Sequence, residues 1–206
     1  EMCIRDRSKE TCKKYGFTPE TIPAMFIPNT YDFYWNTSGD KFLDKMSEEN
    51  KKFWNFERKE KAKQAGFTES EIVTLASIVD EETDNEAEMP KIAGMYINRL
   101  HMNMPLQADP TIKFATKNFT AHRIYQKWLT IDNPYNTYKY RGLPPGPIRI
   151  PSVAAIDAVL NYVHHDYIYM CAKEDFSGTH NFAKTYEEHQ VNAAKYAKAL
   201  NEHGIN

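Results

Sequence analysis

The stretch from Thr68 to Glu82 constrains this chain more than any other, because it specifies a helix that must lie against a core. Thr68-Glu69-Ser70-Glu71 has the spacing of a capping box, with Glu71 placed to answer the Thr68 backbone N–H. The apolar residues that follow, Ile72, Leu75, Ala76, Ile78 and Val79, recur at helical spacing and form a stripe. A second helix comes next. Pro90 suits its first turn, Ile92, Tyr96, Ile97 and Leu100 mark its apolar face, and Gly94 permits close packing. Ser152 followed by Val153, Ile156, Val159 and Leu160 gives a third. Tyr167 to Ala172 and His180 to Thr185, separated by a turn containing Ser177 and Gly178, read as a β-hairpin, and Tyr186 to Leu200 as a closing amphipathic helix. No alternation of strands and helices points to a doubly wound sheet. The expected class is α+β: a mainly helical domain with a small antiparallel hairpin and long ordered loops, the loops lying between Pro105 and Pro151 where Pro, Gly, Asn and Tyr are dense.

Upstream of Thr68 the pattern is looser. From Phe17 to Trp35, Pro19, Pro23 and Pro28 interrupt short apolar pieces, which predicts an extended segment laid over something larger. Ser38 is placed to cap a helix through Phe42, Leu43 and Met46. The Lys-rich run Lys51 to Lys63 is interleaved with Glu57, Glu60, Phe53, Trp54 and Phe56, and reads as a solvated helix with one buried aromatic face rather than a nucleic-acid patch. Residues 1–7 are polar and aperiodic and are assigned to no fold. The expected division is residues 1–66 as an N-terminal extended segment and helix leading into a domain formed by residues 67–206.

Composition narrows the possible partners. With 206 residues and 41% hydrophobic content the chain can bury one good core. A net charge of -2 gives no global field toward nucleic acid or an anionic membrane surface. Cys3, Cys12 and Cys171 make no disulfide framework, and no apolar run approaches the roughly 20 residues needed to span a bilayer. Glu1 in place of Met suggests a piece of a longer protein.

Three acids, Asp80, Glu81 and Glu82, stand at the end of the Thr68 helix. At 100° per residue Glu82 falls back within the apolar stripe, three residues after Val79 and four after Ile78, while Asp80 and Glu81 project to its flanks. A carboxyl on an apolar face is desolvated, and the partial negative charge of a helix C-terminus acts in the same direction, so its pKa rises toward what a general acid needs near neutrality. A structural ion pair would account for an acid at such a position as well. Leu106-Gln107-Ala108-Asp109-Pro110-Thr111 forms a stiffened loop that either presents an amide and a carboxylate to ligand hydroxyls or lets Asp109 cap a short helix. Gly142-Leu143-Pro144-Pro145-Gly146 is either a groove wall or a structural crossing. His164, His165, His180 and His189 lack an HExxH or CxxC context, so no metal is expected. No GxGxxG, Walker loop or GxSxG elbow is present, against nucleotide and serine-hydrolase chemistry.

Taken in order, LASIVDEET (75–83), YINRL (96–100), LQADPT (106–111), NPYNTYKYRGLPPGPI (133–148) and HNFAKTYEEH (180–189) resemble the motifs of the endolytic murein transglycosylase family, also called MltG or YceG-like. The likeness runs from about Thr68 to the C-terminus, and FIPNTYDFYW (26–35) resembles the segment preceding that family's catalytic domain. The resemblance implies a lytic transglycosylase catalytic domain over 67–206 that cleaves the MurNAc-GlcNAc β-1,4 bond of peptidoglycan strands and leaves 1,6-anhydroMurNAc ends. It further implies placement on the extracytoplasmic face of the bacterial membrane through an N-terminal anchor that this chain lacks, with cell-wall synthesis enzymes as possible partners and no cofactor. It places the catalytic glutamate on Glu82 and substrate contacts on Gln107, Asp109, Asn136, Tyr138 and His180. Asp80 stands where many relatives carry Glu, so the earlier acid is the competing assignment. A hydrolytic muramidase, a non-catalytic glycan-binding module, and an interaction module on the Lys51 to Lys63 helix are the alternatives.

Overall fold

The structure is a computed structural model that describes residues 8–121 and 124–204; the aperiodic residues 1–7 lie outside them. In chain order the described elements are α1 (Lys9–Lys14), a 3₁₀ turn (Ile22–Met25), α2 (Gly39–Phe53), α3 (Phe56–Ala65), α4 (Glu69–Glu82), α5 (Met89–His101), α6 (Asp109–Thr116), α7 (Gln126–Leu129), α8 (Val153–Leu160), β1 (Tyr169–Ala172), β2 (His180–Ala183) and α9 (Tyr186–Glu202). The class is α+β, about half helical with one two-stranded antiparallel sheet. Among the described residues no helix is long and apolar enough to cross a membrane.

α4 forms the centre. Its capping box is complete: the Thr68 N–H donates to Glu71 Oε2 at 2.8 Å and the Glu71 N–H donates to Thr68 Oγ1 at 3.3 Å. The expected stripe is in fact burial on every side, since all residues from Ile72 to Val79 are buried. The two polar ones are satisfied locally, Thr74 by donating to the Ser70 carbonyl and Ser77 to the Thr74 carbonyl. Ser77 Oγ also accepts from the Ile148 N–H at 3.0 Å, which ties the 142–148 loop to the helix. α5 and α8 pack on α4 to make the main core, with Ile72, Ile78, Ile92, Tyr96 and Ile156 among its buried side chains. Each such residue contributes about 1.5–3 kcal/mol of apolar burial.

Ala24, Ile27, Trp54 and Ala62, all before residue 66, complete that core, and a smaller cluster of Cys12, Ile22, Met25, Leu43 and Met46 lies beneath α1 and α2. The Lys-rich run differs from the single helix expected over Lys51 to Lys63. α2 ends at Phe53, and Asn55 caps α3 by accepting from the Arg58 N–H at 3.0 Å. The aromatics therefore divide: Trp54, at the break, is buried, whereas Phe56 is exposed. Arg58 meets Asp157 of α8 through two bonds of 3.0 Å and holds α3 to the core. In the hairpin, Tyr169 pairs with Ala183 and Ala172 with His180, and α9 covers it.

Candidate active site

Glu82 ends α4, where the helix leaves the core. It lines a cavity of about 340 Å³ together with Tyr96, Gln107, Asp109, Tyr138 and His180. It also lines a neighbouring hollow formed with Thr83, Asp84, Asn85, Ser177 and Gly178. The acid therefore stands between two depressions, the first facing the loops and the second facing the hairpin turn. Tyr96 Oη donates to Glu82 Oε1 at 2.5 Å.

Although Glu82 keeps an accessible edge, burial pushes its pKa from 4.5 up to about 7. The bond from Tyr96 opposes this, Asp109 adds to it by like charge, and His180 and Lys113 pull the other way. Its neighbours in sequence are committed elsewhere. Asp80, whose side chain is only 8% exposed, accepts from Ser152 Oγ at 2.6 Å and Ser152 N–H at 3.3 Å and lies 3.4 Å from Arg149 Nε. Glu81 accepts from Arg149 Nη1 at 2.7 Å. Asp80 is thus occupied in joining α4 to the start of α8.

The loop residues reach the cavity through an interlocked pair of segments. The Gln107 N–H donates to the Thr137 carbonyl, the Ala108 N–H donates to Thr137 Oγ1, and Thr137 Oγ1 also meets Thr111 Oγ1 at 2.8 Å. This fixes Asp109 on the first turn of α6, where its Oδ1 accepts from Tyr138 Oη at 2.5 Å. Burial, then the bond to Asp109, raises the Tyr138 pKa well above that of a free phenol. Gln107 holds a left-handed φ of 52°, uncommon for a side chain of its kind and a form of strain that tends to gather at functional sites.

Of the six residues expected at the site, Glu82, Gln107, Asp109, Tyr138 and His180 meet at one cavity, and Asn136 does not. Asn136 is fully buried. Its Nδ2 donates to the Leu129 and Ile131 carbonyls and its Oδ1 accepts from the Tyr138 and Lys139 N–H groups, so its amide holds the loop that carries Tyr138. The Gly142 to Gly146 segment is the structural crossing: a Cβ on Gly146 would lie 2.0 Å from the Glu20 carbonyl oxygen.

Three residues of this region are not among the site residues expected from the sequence. Tyr96 stands there on the core face of α5 and in the YINRL motif without a role of its own, although a buried tyrosine hydroxyl needs a partner. Arg99, three residues on and 7% exposed, also lines the cavity; it donates to the Ile168, Leu106 and Pro105 carbonyls and so clamps the Gln107 loop and the hairpin to α5. Glu88, just before α5, binds His180.

Removal of the Tyr96 hydroxyl tests the electrostatics directly. Because that bond lowers the Glu82 pKa, Tyr96→Phe is expected to raise it above 7 and move the alkaline limb of any Glu82-dependent activity to higher pH. A limb that stays in place or moves to lower pH would contradict the coupling.

A mainly helical α+β domain with the carboxyl of Glu82, raised toward neutrality, set between two depressions defines the class. The chain belongs to the YceG-like family, whose profile it matches over residues 3–195. It is 36% identical over 182 residues to the endolytic murein transglycosylase of Bacillus subtilis, covering 88% of this chain and 49% of that protein. The protein of the same description from Streptococcus pneumoniae is 31% identical over 185 residues, covering 86% of this chain and 33% of that one. The crystal structure of a YceG-like protein from Listeria monocytogenes superposes with a TM-score of 0.70 at 30% identity, over 82% of this chain and 53% of that one. The chain thus spans about half the length of the Bacillus relative and a third of the Streptococcus one.

Proposed function

We propose that this chain carries the catalytic unit, over residues 67–206, of a lytic transglycosylase that cleaves the MurNAc-GlcNAc β-1,4 bond of peptidoglycan strands. The observation that carries this reading is the carboxyl of Glu82, held at a pKa of about 7 between two depressions that can receive sugar on either side of the broken bond. Near neutrality such a carboxyl is present both as acid and as carboxylate. Glu82 protonates the glycosidic oxygen, the bond opens through an oxocarbenium-like state, and the carboxylate then receives the proton of the muramyl 6-hydroxyl. That hydroxyl attacks its own anomeric carbon and closes a 1,6-anhydro ring, so water is not consumed.

Gln107, Asp109, Tyr138 and His180 contact the sugars, and Asn136 serves by holding Tyr138 in place. The commitment of Asp80 to Ser152 and Arg149 favours Glu82 as the acid. The names of the relatives support the same substrate. We further propose that the protein works on the extracytoplasmic side of the membrane, where its glycan substrate lies, with cell-wall synthesis enzymes as its partners.

Mass spectrometry of glycan strands digested by this chain tests the chemistry. Anhydro ends are expected. Hydrated reducing ends would replace the proposal by a muramidase, and binding without cleavage would replace it by a glycan-binding module.

A further inference from the structure

His180 begins β2 and Glu88 precedes α5, 92 positions away in sequence, yet the two form one unit. The Glu88 carboxylate accepts the His180 backbone N–H at 2.8 Å through Oε1 and faces His180 Nδ1 at 2.9 Å through Oε2. Both side chains are close to nine-tenths buried. A carboxylate can only accept, so Nδ1 carries the proton and the ring is fixed in one tautomer and one orientation, the arrangement by which a second carboxyl group positions a working histidine. With Nδ1 committed, Nε2 is the ring nitrogen left for the cavity that His180 lines with Glu82. Among the described residues Nε2 has no hydrogen-bond partner, and it is not sealed from solvent. A structural histidine in this protein looks different: His165 spends Nε2 on the Lys91 carbonyl and Nδ1 on the Tyr167 N–H.

We infer that Glu88 positions His180 so that Nε2 accepts the attacking hydroxyl of the sugar, holding it for ring closure and passing its proton toward Glu82. This rests on the transglycosylase reading and adds to it the group that favours internal attack over attack by water. The step balances. Glu82 gives its proton to the departing oxygen as the C1–O bond to the next sugar breaks, and O6 bonds to C1 while its proton moves to Nε2. The imidazolium, facing the Glu88 carboxylate, then returns a proton to the Glu82 carboxylate. No oxidant, reductant or further reactant is needed.

The test is the ratio of anhydro to hydrated ends released from purified linear glycan strands, measured by mass spectrometry beside the thermal unfolding of each variant. His180→Asn keeps a donor near the Nδ1 position for Glu88 and removes the atom at Nε2. It is expected to lose rate by roughly 10²-fold, the lower range for a positioned proton-transfer group, and to raise the hydrated fraction. His180→Gln, which puts an amide near the lost Nε2, is expected to recover part of the anhydro fraction. Glu88→Gln leaves the imidazole and Glu82 in place and is expected to shift the ratio in the same direction by less. If His180→Asn and Glu88→Gln slow the reaction but keep the wild-type ratio, His180 is structural and the inference is overturned. If the unaltered chain releases only hydrated ends, the transglycosylase reading itself fails, an outcome separate from any result with the variants.

Discussion

Replacing Glu82 by Gln is expected to abolish cleavage of glycan strands while leaving the fold and glycan binding in place. Gln keeps the volume and can still accept from Tyr96 Oη, so the contact of 2.5 Å has a counterpart in the variant. It cannot give up or take a proton in the working range. A positioned acid or base contributes roughly 10²- to 10⁴-fold, and because Glu82 is proposed both to give the proton at bond breaking and to take one back, directly or through His180, at ring closure, the loss should reach the upper end of that range. Asp80→Asn is the matched control. It disturbs the bonds to Ser152 and Arg149, so it should lower thermal stability and leave turnover by the folded fraction nearly intact. Full activity in Glu82→Gln would remove this residue from the chemistry.

The same substitution makes a prediction about stability that does not depend on finding substrate. A carboxyl whose pKa rises from 4.5 to about 7 on folding binds its proton more tightly in the native state than in the unfolded one. Stability attached to it is therefore full below pH 4.5 and is lost as pH rises through 7. At 1.36 kcal/mol per pKa unit the loss approaches about 3 kcal/mol by pH 8. Gln carries no such charge, so Glu82→Gln is expected to be more stable than the parent at pH 8 and close to it at pH 4.5. Denaturant unfolding at the two pH values checks this, and equal stability at both would mean that Glu82 is not desolvated.

The local grammar of the chain was legible where one segment decides its own fate. The Thr68 capping box, the Ser38 and Ser152 caps, the hairpin turn at Ser177-Gly178 and the position of Glu82 relative to the apolar residues all follow from spacing of three or four residues, and the structure forms each element there. What stayed hidden depends on distant partners. Tyr96 has the spacing of a core residue and is one, but its hydroxyl lies against an acid on another helix. Glu88 belongs to no motif or spacing that marks it in the sequence, and only the fold sets it beside His180. Asn136 sat in a motif that resembles a substrate-binding segment, and only the path of the chain shows its amide spent on four backbone groups. The division of the Lys-rich helix was written locally, in the Asn55 cap, but a charge pattern continuous across it masked the break.

Gly94→Ala is expected to destabilise the protein by about 2 kcal/mol, against the usual sign for such a change in a helix. In an exposed helix interior Ala is favoured over Gly by about 1 kcal/mol. Here the 163–165 segment lies directly on α5: the Val163 N–H donates to the Pro90 carbonyl, His165 Nε2 donates to the Lys91 carbonyl, and Asn98 Nδ2 donates to the His165 and Tyr167 carbonyls. A Cβ on Gly94 would stand 2.2 Å from the Val163 carbonyl oxygen and 2.9 Å from His165 Nε2. The first contact is with backbone held on both sides, so relief requires the crossing segment to lift from the helix. Overpacking of that kind costs about 1–3 kcal/mol and sometimes more, which outweighs the propensity gain. For a chain of this size the melting temperature should fall by about 4–8 °C. Activity should fall with it even below the transition, because Tyr96 and Arg99 follow Gly94 on the same helix and Tyr169 of β1 follows directly from the displaced segment. A melting temperature equal to or above that of the parent would mean that the segment does not rest on α5 as described, and the route by which α5 and the hairpin are brought to one cavity would have to be redrawn.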